Sequence, residues 1–235
     1  MANDPEWIVR ADVARYSKAG PATLAKLAAD PIAAVRLGVV WNQRTPPEVV
    51  SILANDSHAE VRVAVAYNIS SPKLLAKLAF DSNSGVRLAV AGNKNTPPDT
   101  LLKLAGSANK ESPRMANELA RNRNTPAHIL ANLANNPSIT VREAVAGNKN
   151  TPPDILDMFA NDTEWRIRNA AALNENTPPA TLDRLATHPD VGTRHYLADN
   201  LNLPLQVQNK LSNDENKSVR DHVKDNLSRY RNGKK

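Results

Sequence analysis

Apolar residues recur along this chain in two alternating registers. In residues 45–68, TPPEVVSILANDSHAEVRVAVAYN, a short segment carries Val49, Ile52 and Leu53, and a longer one carries Val61, Ala64 and Val65. Spacings of three and four residues return to one side of an α-helix, so the pattern predicts a short helix, a tight turn and a longer helix. The polar residues punctuate it. Thr45 is expected to act as an N-cap, with Pro46 in the first helical position and Glu48 closing a capping box. Asp56 is expected to cap the longer helix. Asn68 is expected to end it in the left-handed conformation that asparagine tolerates.

This unit repeats. Arginines stand at Arg10, Arg36, Arg62, Arg87, Arg142, Arg168, Arg194 and Arg220, and the first three set a period of 26 residues. An asparagine follows most of them by six places, and AVAGNKNTPPD occurs twice, at 89–99 and 144–154. Self-similarity at a period of this size predicts an all-α solenoid, in which each unit buries its apolar face only against its neighbours. About nine two-helix repeats fill residues 1–227 as one elongated body, and residues 228–235 are expected to form a flexible basic tail. The register lapses near 105–116. GSANKES (106–112) adds three residues, Lys110 replaces the capping acid and Ala116 replaces the arginine. The loop before Pro72 is one residue short.

Composition narrows the chemistry. Aromatic residues make up 4%, so small aliphatic side chains must fill the interior, and the absence of cysteine removes disulfides and thiolate metal sites. No apolar run reaches the roughly 20 residues of a membrane span. The opening MANDPEWIVR lacks the apolar core of a secretory signal, which makes the cytoplasm the expected compartment. The net charge of +6 is concentrated at the end. Arg229, Arg231, Lys234 and Lys235 take four of the 30 bases, leaving 26 against 24 acids in the repeats. A nearly neutral body does not by itself indicate nucleic acid.

The consensus Asp-Pro-x-x-x-Val-Arg-x-Ala-Val-Ala-x-Asn-x-x-Thr-Pro-Pro-x-x-Leu-x-x-Leu-Ala resembles the leucine-rich repeat variant family. Residues 30–54, DPIAAVRLGVVWNQRTPPEVVSILA, carry it almost in full, and the resemblance spans about residues 4–227. It implies a right-handed superhelix of alternating α- and 3₁₀-helices, related in spirit to HEAT repeats. A known member carries an N-terminal cysteine-bound iron–sulfur cluster. With no cysteine here, that cofactor and any redox role do not transfer, and no other cofactor is expected.

Three rows of side chains are candidates for function. The first is the ladder itself: Asp30, Asp56, Asp81, Asp162 and Asp214 each precede an arginine by six residues, which suits ion pairs within a repeat or to its neighbour. The row therefore reads as architecture. The second comprises Arg44, Lys94, Arg121, Arg123 and Lys149, in or beside the loops after the longer helices, where cations favour helix C-termini or bind an anionic partner such as nucleic acid. The third is apolar. One and five places past the arginine, repeats 2 to 4 carry Leu37, Trp41, Val63, Tyr67 and Leu88, where the other repeats carry mostly polar residues. Tryptophan and tyrosine anchor interfaces, which makes this face the expected protein- or peptide-binding surface. The five histidines show no metal spacing, so no enzyme is expected. A DNA glycosylase of HEAT-like build is only a remote alternative. Trp7 and Ile8 leave an open apolar N-terminal end, which allows a monomer or a weak dimer through it.

Overall fold

A computed structural model describes residues 1–16, 18–108 and 113–233, with side chains at 107, 108 and 227–233 left out. The described residues form seventeen helices and no strand. They fall into two compact bodies, Met1–Asn124 and Thr125–Lys235. The first holds the helices α1 (Trp7–Tyr16), α2 (Pro21–Leu27), α3 (Ala33–Trp41), α4 (Pro47–Leu53), α5 (Ala59–Asn68), α6 (Pro72–Leu78), α7 (Ser84–Gly92), α8 (Pro98–Ala108) and α9 (Pro113–Arg121). The second holds α10 (Ala127–Leu133), α11 (Ile139–Ala146), α12 (Pro153–Phe159), α13 (Trp165–Leu173), α14 (Pro179–Leu185), α15 (Val191–Leu197), α16 (Leu205–Ser212) and α17 (Lys217–Gly233). Odd-numbered helices carry the arginine register and pack on one another within each body, while most even-numbered ones pack beside their odd-numbered neighbours. The short elements are α-helices and not the 3₁₀ segments that the resemblance implied.

The core follows the predicted stripe. Val61, Ala64 and Val65 are buried, as are Val49 and Leu53, but Ile52 is exposed because a seven-residue helix keeps only its i, i+4 pair against the neighbour. In the second body Leu182, Leu185, Leu197, Val207, Leu211, Val219 and Val223 belong to one apolar cluster. Burial of a leucine-sized side chain is worth about 1.5–3 kcal/mol, so small residues repeated in register suffice for a continuous core. Gly38 marks a close helix approach. A Cβ there would stand 3.0 Å from both the Ala11 carbonyl oxygen and the Ala14 Cβ on α1.

The punctuation residues act differently from the sequence-based expectation. Thr45 does not cap α4. Its hydroxyl donates to the Val39 carbonyl at 2.6 Å, closing the end of α3, while Pro46 takes the N-cap position and Pro47 the first turn. Glu48 therefore closes no capping box. Thr96 and Thr177 donate likewise to Val90 and Ala171 at 2.5 Å, and Thr151 to Val145. A true side-chain cap survives in repeat 3, where Ser71 Oγ accepts the Leu74 amide. Asp56 stands three residues ahead of α5 and accepts the amide of His58, the residue in the N-cap position.

The asparagines depart further. No described non-glycine residue has positive φ, and Asn42 sits at φ −80°, ψ 120°, so no left-handed cap exists. Its amide instead crosses to the preceding repeat and donates to the Ala14 carbonyl at 2.7 Å. Asn93 reaches Ala66 and Ile69, Asn122 reaches Ala91, Asn174 reaches Ala146 and Asn200 reaches Ala172, at 2.6–2.9 Å. Each also turns its own loop by accepting the amide two residues on, as Asn93 does from Asn95 at 2.8 Å. These buried side chains supply the partners that the last carbonyls of a helix lack.

The lapse expected near 105–116 falls partly on residues 109–112, so Lys110 and most of GSANKES lie outside the described residues. Ala116 is buried on α9. At the C-terminus α17 continues past residue 227 to Gly233. Lys234 and Lys235 lie outside the described residues, as do the side chains of Arg229 and Arg231.

Candidate functional site

The arginine ladder connects successive repeats. Among the described residues, six of the eight ladder guanidiniums pair with a carboxylate of the following repeat, not with the acid six residues before them. Arg10 reaches Asp30 at 2.6 Å, Arg36 reaches Asp56 at 2.6 Å, Arg62 reaches Asp81 at 2.7 Å and Arg194 reaches Asp214 at 2.7 Å. These four pairs are two-pronged, with Nε and Nη2 on the two carboxylate oxygens. Arg142 lies 3.4 Å from Asp162. The residue six places earlier contributes its backbone carbonyl: Arg36 Nη1 donates to Asp30 O at 2.8 Å and Arg87 Nη1 to Asp81 O at 2.6 Å. In repeat 8 His188 holds the acid's place, and Arg168 finds Asp190 instead, at 3.2 Å. The imidazole of His188 accepts the Asp190 amide at 3.1 Å. Among the described residues no group of three histidines or carboxylates is placed to hold a metal ion.

These contacts shift the ionisations. The hydrogen bond from Arg10 holds the Asp30 carboxyl below its ordinary value, against burial, and Arg62 does the same for Asp81. At Asp56 and Asp214 burial is the largest influence and opposes ionisation. Hydrogen bonds from Arg36 and Arg194, each joined by one backbone amide, outweigh it and leave both carboxyls low. The donors of Arg10, Arg36, Arg62 and Arg194 are thus committed to acids and carbonyls, whereas the buried Nε of Arg168 has no partner.

The apolar face places its residues on three consecutive stacked helices. Leu37, Val63 and Leu88 are half-buried on α3, α5 and α7, at the foot of the face. Trp41 and Tyr67 stand five places past the arginine and are 44% and 52% exposed. The same position on α7 is Gly92, where a Cβ would lie 2.8 Å from Glu118 Oε2 and 4.0 Å from the Tyr67 ring. In repeat 8 the residue at this position, Asp199, is paired within the second body. His222 Nε2 lies 2.7 Å from Asp199 Oδ1 and stacks on His195 with ring centroids 4.1 Å apart.

Trp41 also borders an open groove of about 840 Å³ in the first body. Val40, Val50, Val65, Ile69 and Leu74 supply its apolar wall, and Lys73 and Lys77 are its charged residues. Tyr67, Leu37, Val63 and Leu88 do not line it. The sequence reading missed this groove, and the signal was the short loop before Pro72. The residues of the basic row, Arg44, Lys94, Arg121, Arg123 and Lys149, are all exposed. Arg44 reaches the Lys18 carbonyl at 3.5 Å and Arg121 the side chain of Asn117 at 3.3 Å. In repeat 3 the place of Arg44 is taken by Ser70, which interrupts the row.

Comparison with known proteins agrees with this architecture. The family model described as leucine rich repeat variant matches residues 85–108 and 165–190. A solved structure, a leucine-rich repeat variant with a novel repetitive protein structural motif, is similar over 87% of this chain and 80% of its own, at 24% identity and a TM-score of 0.57. An engineered protein is 16% identical over 94% of this chain and 67% of its own, at a TM-score of 0.32. A designed armadillo repeat protein in complex with the peptide (KR)4 is 15% identical over 97% and 95%, at 0.25. No curated protein matches the chain. The molecule is an all-α helical-repeat protein of the solenoid class. Two stretches of it, residues 85–108 and 165–190, match the leucine rich repeat variant model.

Proposed function

We propose that the protein is a non-enzymatic binding scaffold that holds a protein or peptide on the face formed by α3, α5 and α7. The observation that carries this reading is the pair of exposed aromatics, Trp41 and Tyr67, at the same position of adjacent repeats. They rise from half-buried aliphatic residues on a backbone fastened by ion pairs and asparagine amides. Rigid aromatic anchors lose little conformational entropy on binding and dominate interface energetics. The ladder guanidiniums of these repeats, Arg36 and Arg62, are spent on the fold, so the face recognises mainly by shape and apolar contact. Immobilised wild-type protein should capture partners from a cell extract that the Trp41→Ala/Tyr67→Ala double variant does not. Equal recovery by both proteins would overturn the assignment.

A further inference from the structure

Repeat 3 breaks the asparagine rule, and the break opens the groove. From the asparagine to the proline that starts the next short helix there are five steps at Asn42–Pro47 and Asn93–Pro98, but four at Asn68–Pro72. The shortened loop draws one more residue into α5, and the Asn68 amide turns back onto its own helix, donating to the Ala64 carbonyl at 2.7 Å. Its counterparts Asn42, Asn93, Asn122, Asn174 and Asn200 are buried, whereas Asn68 is exposed. The carbonyl it would have reached is that of Val40, the position equivalent to Ala14, Ala66, Ala91, Ala146 and Ala172. Val40 receives no such bond, and its residue lines the groove.

Three chemical requirements meet there. A carbonyl without its usual asparagine asks for an N–H donor. A wall of Val50, Val65 and Leu74 beside Trp41 asks for an apolar side chain. Lys73 and Lys77 make the lining positive, with no acid among the lining residues. Lys77 is held toward the groove by Asn55. We infer that this groove takes an extended, acidic segment of a partner protein: a backbone N–H on Val40 O, an aliphatic side chain against Val50 and Leu74, and a carboxylate facing Lys73 and Lys77. The inference rests on the scaffold reading, with which it shares Trp41, and names the class of partner.

Short fluorescein-labelled peptides alternating leucine with glutamate, with glutamine or with lysine test it by anisotropy against the full chain. The glutamate peptide should bind best and should release as salt is raised. Lys73→Glu/Lys77→Glu should weaken it about tenfold or more, as charge reversal removes the complementarity. Inserting one alanine after Ile69 restores the loop length, returns Asn68 to Val40 and should weaken binding to a similar degree, while thermal melts show both variants folded. Equal binding of the three peptides, no binding, or binding indifferent to both variants would overturn the inference. The two readings separate cleanly. Partner capture lost in Trp41→Ala/Tyr67→Ala but kept in Lys73→Glu/Lys77→Glu removes the acidic groove and leaves the scaffold.

Discussion

At the scale of single residues, the asparagines are the least expected part of the structure. Local propensity reads an asparagine at a helix end as a cap, and that reading uses only the backbone on either side of it. The actual partner lies on the preceding repeat, 27 residues back in the case of Asn93 and Ala66. Nothing in the local sequence discloses it, because it depends on which helix end the neighbour presents. The threonines misled for the same reason: a hydroxyl before two prolines looks like the start of a helix, yet it closes the previous one. Asn93 serves the carbonyls of Ala66, Tyr67 and Ile69 from a buried position, whereas Asn68 serves one carbonyl from an exposed position. Asn93→Ala should therefore cost about 2–3 kcal/mol by stranding buried acceptors, and Asn68→Ala less than about 1 kcal/mol. Urea denaturation of the two variants measures the difference, and equal losses would contradict the contrast.

At the scale of helices, the apolar periodicity is legible in the longer helix, whereas Ile52 of the short one is exposed. Val61, Ala64 and Val65 form the buried stripe that their spacing predicts. What the spacing does not specify is how closely two helices approach. Gly38 decides that for α1 and α3: its missing Cβ lets the backbone of α1 lie against it. Gly38→Val adds volume against a carbonyl and a Cβ, neither of which is the end of a flexible side chain. The gain in helix propensity is about half a kcal/mol, and the overpacking costs about 1–3 kcal/mol, so the net effect is destabilising. Thermal melts would record a lower midpoint, and an unchanged one would show that α1 moves aside freely. The candidate site divides in the same way. Trp41 and Tyr67 were visible as exceptions to the register. The groove was not, because a deletion of one residue announces a change of loop and not the opening that follows from it.

At the scale of the whole molecule, the ladder makes stability depend on acid in a definable way. Asp30, Asp56, Asp81 and Asp214 all ionise below the ordinary carboxylate value of 3.8 when folded. A depressed folded-state pKa stabilises the native form above the unfolded value, and that contribution is lost as pH falls through the lower folded value. The melting temperature should be nearly flat from neutral pH down to about pH 5 and should drop steeply below about pH 4. The loss should involve several repeats together, since each carboxylate ties two of them. A melting temperature that stayed level to pH 3 would mean that the pairs contribute little once their burial is counted.

The one-way linkage of the ladder has a consequence for how such a chain changes through descent. A segment cut from one aspartate to the next carries one acceptor for the repeat before it and one donor for the repeat after it. Copied, deleted or moved as a cassette, it leaves the charges balanced, with every arginine still facing an acid. The two identical stretches at 89–99 and 144–154 have the form such copying leaves. At the lapse Ala116 has lost the arginine and the residue twenty places on is Asn136, so that donor and that acceptor are absent together, although Lys110 also stands in the acid's place. In this architecture the heritable unit is the bond between repeats, and length is free to vary around it.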